Sequence, residues 1–146
     1  MKLLRIARVP PVVIKPHENV QLAVEKMCVA GVGAVTVIDE ENRPIGIFTE
    51  RDLMRRVVRP GLDPRELAVG EVMTRDPLTA PQEMEASAAF EFMTDKHLRH
   101  LPITDHFGRL QGILSVRHLM RHMVENLSQE LEGMNAYMSV DGPGGD

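Results

Sequence analysis

The sequence predicts an α+β protein of α/β-like pattern. Two pseudo-symmetric β-α-β-β-α repeats pack face to face, and an extended C-terminal helix follows them. Three observations carry this expectation. Residues 66 positions apart match through two helices, two strands and a turn: Ala23 with Ala89, Met27 with Met93, Asp39 with Asp105, Arg43 with Arg109, Gly46-Ile47 with Gly112-Ile113 and Leu53-Met54-Arg55 with Leu119-Met120-Arg121. Short apolar runs alternate with amphipathic stretches, the pattern of strands between helices. A three-four apolar spacing then runs past the second repeat through Val116, Met120, Met123, Leu127, Leu131, Met134 and Met138. A single unit is too small to bury its own sheet well, so the copies pack around a pseudo-two-fold axis.

In chain order, repeat 1 occupies 6–60, a linker and lead-in 61–75, repeat 2 76–124, a helical extension 125–138 and a flexible tail 139–146. Val9-Pro10-Pro11 and Pro16 frame an extended segment. His17-Glu18-Asn19 supplies caps for a helix to about Ala30, with Val20, Ala23, Val24 and Met27 on one face, and Gly31-Val32-Gly33 stops it. Ala34-Val35-Thr36-Val37-Ile38 reads as a strand buried on both sides, and Asp39 to Pro44 as a polar turn. Ile45 to Phe48 pairs back, and a helix follows from Thr49 to about Val58. Arg59-Pro60-Gly61 breaks the chain, and Asp63-Pro64-Arg65-Glu66 is a capping box predicting one short helical turn. The second round repeats this order, ending in a much longer helix after Ser115.

The 146 residues are 43% apolar and 26% charged, with a net charge of −4 and no dense basic run, so no nucleic-acid footprint is evident. Few aromatic side chains are present to stack bases. The single cysteine, Cys28, excludes an internal disulfide and reads as a buried small hydrophobe on a helix in a reducing cytoplasm. No apolar run approaches the roughly 20 residues that span a membrane, and no secretory signal is seen, so the expected location is cytoplasmic.

The chemistry-bearing stretch is Gly46-Ile47-Phe48-Thr49-Glu50-Arg51-Asp52-Leu53. It joins a strand end to a helix start, where unpaired N–H groups and a positive dipole end suit a phosphate. Thr49 can donate to that anion, and the Asp52 carboxylate can accept from a sugar diol. The same two residues also form a good N-cap and first-turn acid.

The doubled pattern resembles tandem cystathionine-β-synthase-type (CBS) domains. The resemblance rests on Met27 with Ala34 to Asp39 and Gly46 to Leu53, on Met93 with Arg99 to Asp105 and Gly112 to Ser115, and on the lead-in Glu71 to Pro77. It covers about residues 6–124. It implies a regulatory module binding adenosine-containing ligands, such as AMP, ADP, ATP, NAD or S-adenosylmethionine, in clefts between the repeats, and a disc-shaped homodimer. It further implies that Thr49 and Asp52 take phosphate and ribose, facing Met73, Thr74, Pro77 and Leu78 with Leu98, Arg99 and His100. In the opposite cleft Ser115 would face Val12, Val13 and residues 32–34. There His118 stands where Asp52 does, and an imidazole cannot chelate a diol, so one good site per chain is expected.

His118 and His122 lie four apart on one helix, a spacing for zinc only if a third ligand arrives; no metal is expected. No nucleophile–base pair, metal-ligand set or Gly-rich phosphate loop appears, so no catalytic residue and no enzyme activity is expected. Two readings remain. One is an adenine-nucleotide sensor acting in trans on an unknown regulated protein. The other is a ligand-free dimeric scaffold whose motif residues survive as helix caps.

Overall fold

The computed structural model describes residues 2–141, with side-chain surroundings through residue 135. The tail residues 142–146 and the side chain of Met138 therefore lie outside the described residues.

Repeat 1 contains β1 (Val13–Ile14), α1 (Val20–Ala30), β2 (Ala34–Ile38) and β3 (Pro44–Thr49), then a single α-turn, α2 (Glu50–Asp52), which widens into a π-helical stretch at Leu53–Val58. After α3 (Val69–Val72) comes β4 (Thr74–Arg75). Repeat 2 contains β5 (Ala80–Pro81), α4 (Ala86–Lys96), β6 (His100–Thr104), β7 (Leu110–Ser115) and α5 (Val116–Asp141). One sheet runs β1-β2-β3-β4 and the other β5-β6-β7.

The 66-residue correspondence extends to hydrogen-bond register. Ala34 pairs with Thr49 as His100 pairs with Ser115, and both hairpins carry an irregularity one residue before their turn, at Val37/Ile38 and Ile103/Thr104. Ile14 pairs with Val37 as Ala80 pairs with Ile103. Each turn is built by an aspartate whose Oδ1 accepts two backbone N–H groups: those of Glu41 and Arg43 at Asp39, those of Phe107 and Arg109 at Asp105.

The helices begin and end where local chemistry dictates. The Asn19 side chain accepts from Leu22 N–H at 2.8 Å, and Gly31 closes α1 in the left-handed region at φ 67°. His97 closes α4 in the same region at φ 57°.

Two apolar cores result. The first gathers Ile14, Val20, Ala23, Met27, Val35, Val37, Phe48 and Val57, and the second Ala89, Met93, Leu101, Ile103, Leu114 and Leu119. Leu3, near the start of the chain, is fully buried in the second core, not in the first. Each lead-in crosses to the opposite repeat: Thr74 pairs with Ile47, and Arg8 bridges to Ile113. Gly46 and Gly112 make room for those crossings. A Cβ on Gly46 would lie 2.2 Å from Met73 Sδ, and one on Gly112 would lie 3.1 Å from the Arg8 carbonyl oxygen.

Three local expectations are corrected. Cys28 is exposed, because α1 buries Val20, Ala23 and Met27 and the next residue turns about 100° away. The capping box at Asp63 forms a hydrogen-bonded turn instead of a helix. Its neighbourhood is committed to the start of α1: Val20 N–H donates to Leu67 C=O, Gln21 N–H to Pro64 C=O and Val69 N–H to Glu18 C=O. The helix from Thr49 to Val58 is not uniformly α, since Arg59 N–H reaches back five residues to Met54 C=O at 2.9 Å.

Candidate functional site

Thr49 ends β3 in extended backbone and caps α2. Its N–H donates to Asp52 Oδ2 at 3.0 Å, and its Oγ1 accepts from Asp52 N–H at 3.2 Å. Asp52 is only 8% exposed. Thr74 Oγ1 donates to its Oδ1 at 3.3 Å, and Arg56 Nε stands 3.7 Å from the same oxygen. Arg56 also donates to the Met73 carbonyl oxygen at 2.8 Å. Thr49, Asp52, Met73 and Thr74 are thus brought together, but by a network internal to the protein.

The related positions in repeat 2 behave differently. Where Asp52 and Thr74 hydrogen-bond, His118 and Arg8 stand instead, and both line open space. A cavity of about 730 Å³ lies between the repeats there. Its walls hold pseudo-symmetric pairs of positions: Gly33 and Arg99, Ala34 and His100, Glu50 and Val116. Each strand exit is closed the same way, Glu50 N–H donating to Gly33 C=O at 3.0 Å and Val116 N–H to Arg99 C=O at 2.9 Å.

The two sides are chemically unequal. Repeat 1 contributes the small residues Gly31, Gly33 and Ala34, with Met27, Val32 and Leu53 as apolar surface. Repeat 2 contributes Arg99, His100, Arg117 and His118, and the N-terminal lead-in adds Arg8. Glu50 is the carboxylate on the cavity wall. Burial pushes the His100 imidazole below its ordinary value; Glu50 opposes that shift, while Arg99 and His118 add to it. His100 is therefore a neutral hydrogen-bonding group at neutral pH, ready to gain a proton beside an anion.

The ten residues expected from sequence divide accordingly. Arg99, His100 and Ser115 line the cavity, with Val32, Gly33 and Ala34 opposite them. Thr49, Asp52, Met73 and Thr74 form the closed network described above. Leu98 packs on the second core, Leu78 is 45% exposed, and Pro77 is half-buried. Val12 and Val13 are not among the cavity-lining residues. Sequence reasoning missed Arg8, Glu50, Arg117 and Cys28 as lining residues. For Glu50 and Arg117 a signal existed, since both sit in the first turn of a helix beside a motif hydroxyl residue.

A second, shallower cavity of about 380 Å³ shares Arg8 and His118 with the first and adds Arg121, His122 and Glu125. Among the described residues no group of three His, Cys, Asp or Glu side chains is arranged to hold a metal ion.

This doubled sheet-and-helix arrangement is matched by the sequence profile of the CBS domain, once over residues 5–59 and again over residues 69–125. The chain belongs to the CBS-domain family.

As a CBS pair it is 33% identical over 130 residues to an uncharacterised protein of Methanopyrus kandleri, the match covering 87% of this chain and 66%, just under two thirds, of that one. It is also 33% identical over 112 residues to inosine-5'-monophosphate dehydrogenase of Aquifex aeolicus, covering 76% of this chain but only 22% of the enzyme. Among solved structures, the CBS domain protein of Pyrobaculum aerophilum complexed with AMP superposes with a TM-score of 0.77 at 22% identity, over 88% of this chain and 99% of that one. Among the described residues no helix of this CBS pair is long and apolar enough to cross a membrane.

Proposed function

We propose that this CBS pair is a regulatory sensor of adenosine-containing ligands, AMP or a related nucleotide, acting in trans on a separate protein. The observation that carries this reading is the 730 Å³ cavity between the repeats, apolar on one wall and cationic on the other. Its volume lies within the range of about 300–1,000 Å³ usual for small-molecule sites. Met27, Val32 and Leu53 offer the apolar surface that suits a flat base. Arg8, Arg99, Arg117 and His100 suit phosphate, and Ser115 supplies a hydroxyl. Glu50 is the carboxylate placed to accept from a ribose diol here, whereas Asp52 is occupied by Thr49, Thr74 and Arg56. The AMP complex of the Pyrobaculum protein supports the ligand class.

Binding regulates only if the ligand prefers one arrangement of the repeats over another. The cavity draws on both repeats and on the first turn of α5, so a ligand there holds three parts of the fold in one geometry. The free, exposed Cys28 supports a reducing setting such as the cytoplasm.

A second reading is favoured by the Asp52 network. A carboxylate used in capping its own helix and in accepting from the β4 threonine is what a ligand-free dimeric scaffold would keep. A thermal-shift panel of AMP, ADP, ATP, NAD, NADH and S-adenosylmethionine separates the two, run on the wild type, Asp52→Ala, Glu50→Gln and His100→Ala. A ligand at 100 times its dissociation constant stabilises the fold by about 2.7 kcal/mol. A shift lost in Glu50→Gln or His100→Ala puts the site in the open cavity. One lost only in Asp52→Ala puts it in the opposite cleft, and no shift with any compound supports the scaffold.

A further inference from the structure

Arg56 and His122 stand 66 residues apart, as do Met73 and Ala7, yet the two pairs leave different surroundings. Arg56 donates to the Met73 carbonyl oxygen at 2.8 Å and stands 3.7 Å from Asp52 Oδ1, which ties the two segments together. The shorter imidazole of His122 makes no such link to Ala7; its Nε2 lies 3.3 Å from Asn126 Nδ2. His122 and Ala7 line the second cavity, of about 380 Å³, in place of a closed contact.

That cavity adjoins the larger one at Arg8 and His118, which line both. Arg121 and His122 add to its cationic wall, and Glu125 is its one carboxylate. Together the two cavities hold four arginines, Arg8, Arg99, Arg117 and Arg121, against two carboxylates, Glu50 and Glu125. Among the described residues none of these four guanidiniums is ion-paired. A single phosphate ester carries about 1.5–2 negative charges at pH 7, which Arg99 and Arg117 match within the first cavity. Arg121 lies beyond it, facing only the second cavity.

We infer that the ligand is a nucleoside di- or triphosphate, its terminal phosphates passing Arg8 and His118 to lie against Arg121 and His122. This rests on the nucleotide reading above and adds its phosphate count, since AMP would leave the second cavity unused. The guanidinium fork of Arg121 gives a terminal phosphate paired, charge-assisted hydrogen bonds, and the His122 ring adds a donor. Glu125 faces the same phosphates and weakens their binding.

Calorimetric titration with AMP, ADP and ATP tests this, in EDTA so that no divalent cation offsets the phosphates. The wild type should bind ATP at least about 10-fold more tightly than AMP, the yield of one hydrogen-bonded charged contact. Arg121→Gln/His122→Gln should cut the ATP-to-AMP affinity ratio by about 10-fold. Glu125→Gln should raise that ratio about 2-fold or more, a gain that a misfolded chain does not give. Inorganic tripolyphosphate lacks the nucleoside and should bind far more weakly than ATP; equal binding would overturn the assignment to a nucleotide. Equal affinity for AMP and ATP, or an ATP preference that the double variant keeps, overturns the phosphate count and leaves the sensor reading standing. Failure of all three nucleotides to bind overturns both.

Discussion

Arg8 and Ile113 exchange both of their backbone hydrogen bonds, Arg8 N–H to Ile113 C=O at 2.9 Å and Ile113 N–H to Arg8 C=O at 3.2 Å. This antiparallel bridge is the pseudo-two-fold mate of the Thr74–Ile47 pair. Each repeat's sheet is extended by the other repeat's lead-in, so neither repeat is structurally complete without its companion. The crossing also delivers the Arg8 side chain to the cavity wall.

The crossing makes the first residues of the chain structural, although terminal residues are ordinarily expendable. Leu3→Ala removes a fully buried side chain from the second core. It should lower the unfolding free energy by about 2–5 kcal/mol, read from urea denaturation. A loss within about 0.5 kcal/mol would show that the N-terminal arm does not hold the second repeat.

Asp52→Ala breaks the reciprocal cap with Thr49 and the contacts of Thr74 and Arg56. The cap accounts for about 0.5–2 kcal/mol, and the ion pair adds little because Arg56 is half exposed. Chemical denaturation of the ligand-free protein should therefore show a modest loss. Restoration by Asp52→Asn would assign the loss to the cap rather than to the charge.

His100 sets the pH response of the cavity. Its folded value lies below the unfolded one, so between the two the unfolded chain binds more protons. Stability from this group is intact above the unfolded value of about 6.5 and falls as the pH drops below it. Phosphate beside His100 works the other way, favouring its protonated form. Nucleotide affinity should therefore rise as the pH is lowered from about 7.5 to 6.5, with proton uptake on binding. Calorimetry in buffers of different ionisation enthalpy would measure that uptake, and His100→Ala should abolish it. Uptake that persists in the variant would place the responsible group elsewhere.

Much of this fold is legible in the sequence. The 66-residue correspondence named both repeats, and it holds down to strand register because matching turns and caps impose matching geometry. Asn19, Gly31 and Thr49 act where their local chemistry places them, since capping involves only neighbours three or four residues away. The exposure of Cys28 is not legible, because a helix of moderate amphipathicity does not announce where its buried stripe ends. Glu50 was overlooked as a lining residue because Asp52, two positions on, matches the family motif. The carboxylate that reaches open space depends on what lies across the cleft.

The sequence by itself determined the repeat, the order of helices and strands, and the local caps and turns. All of these follow from interactions between residues close along the chain or from the periodicity of a single element. Only the tertiary structure decided that Leu3 belongs to the second core, that Arg8 pairs with Ile113, and that the cavity opens beside Ser115 while Asp52 is closed off. Those outcomes depend on which distant segments meet. Asp52 meets a threonine it can hydrogen-bond, whereas at the related positions His118 and Arg8 both line open space.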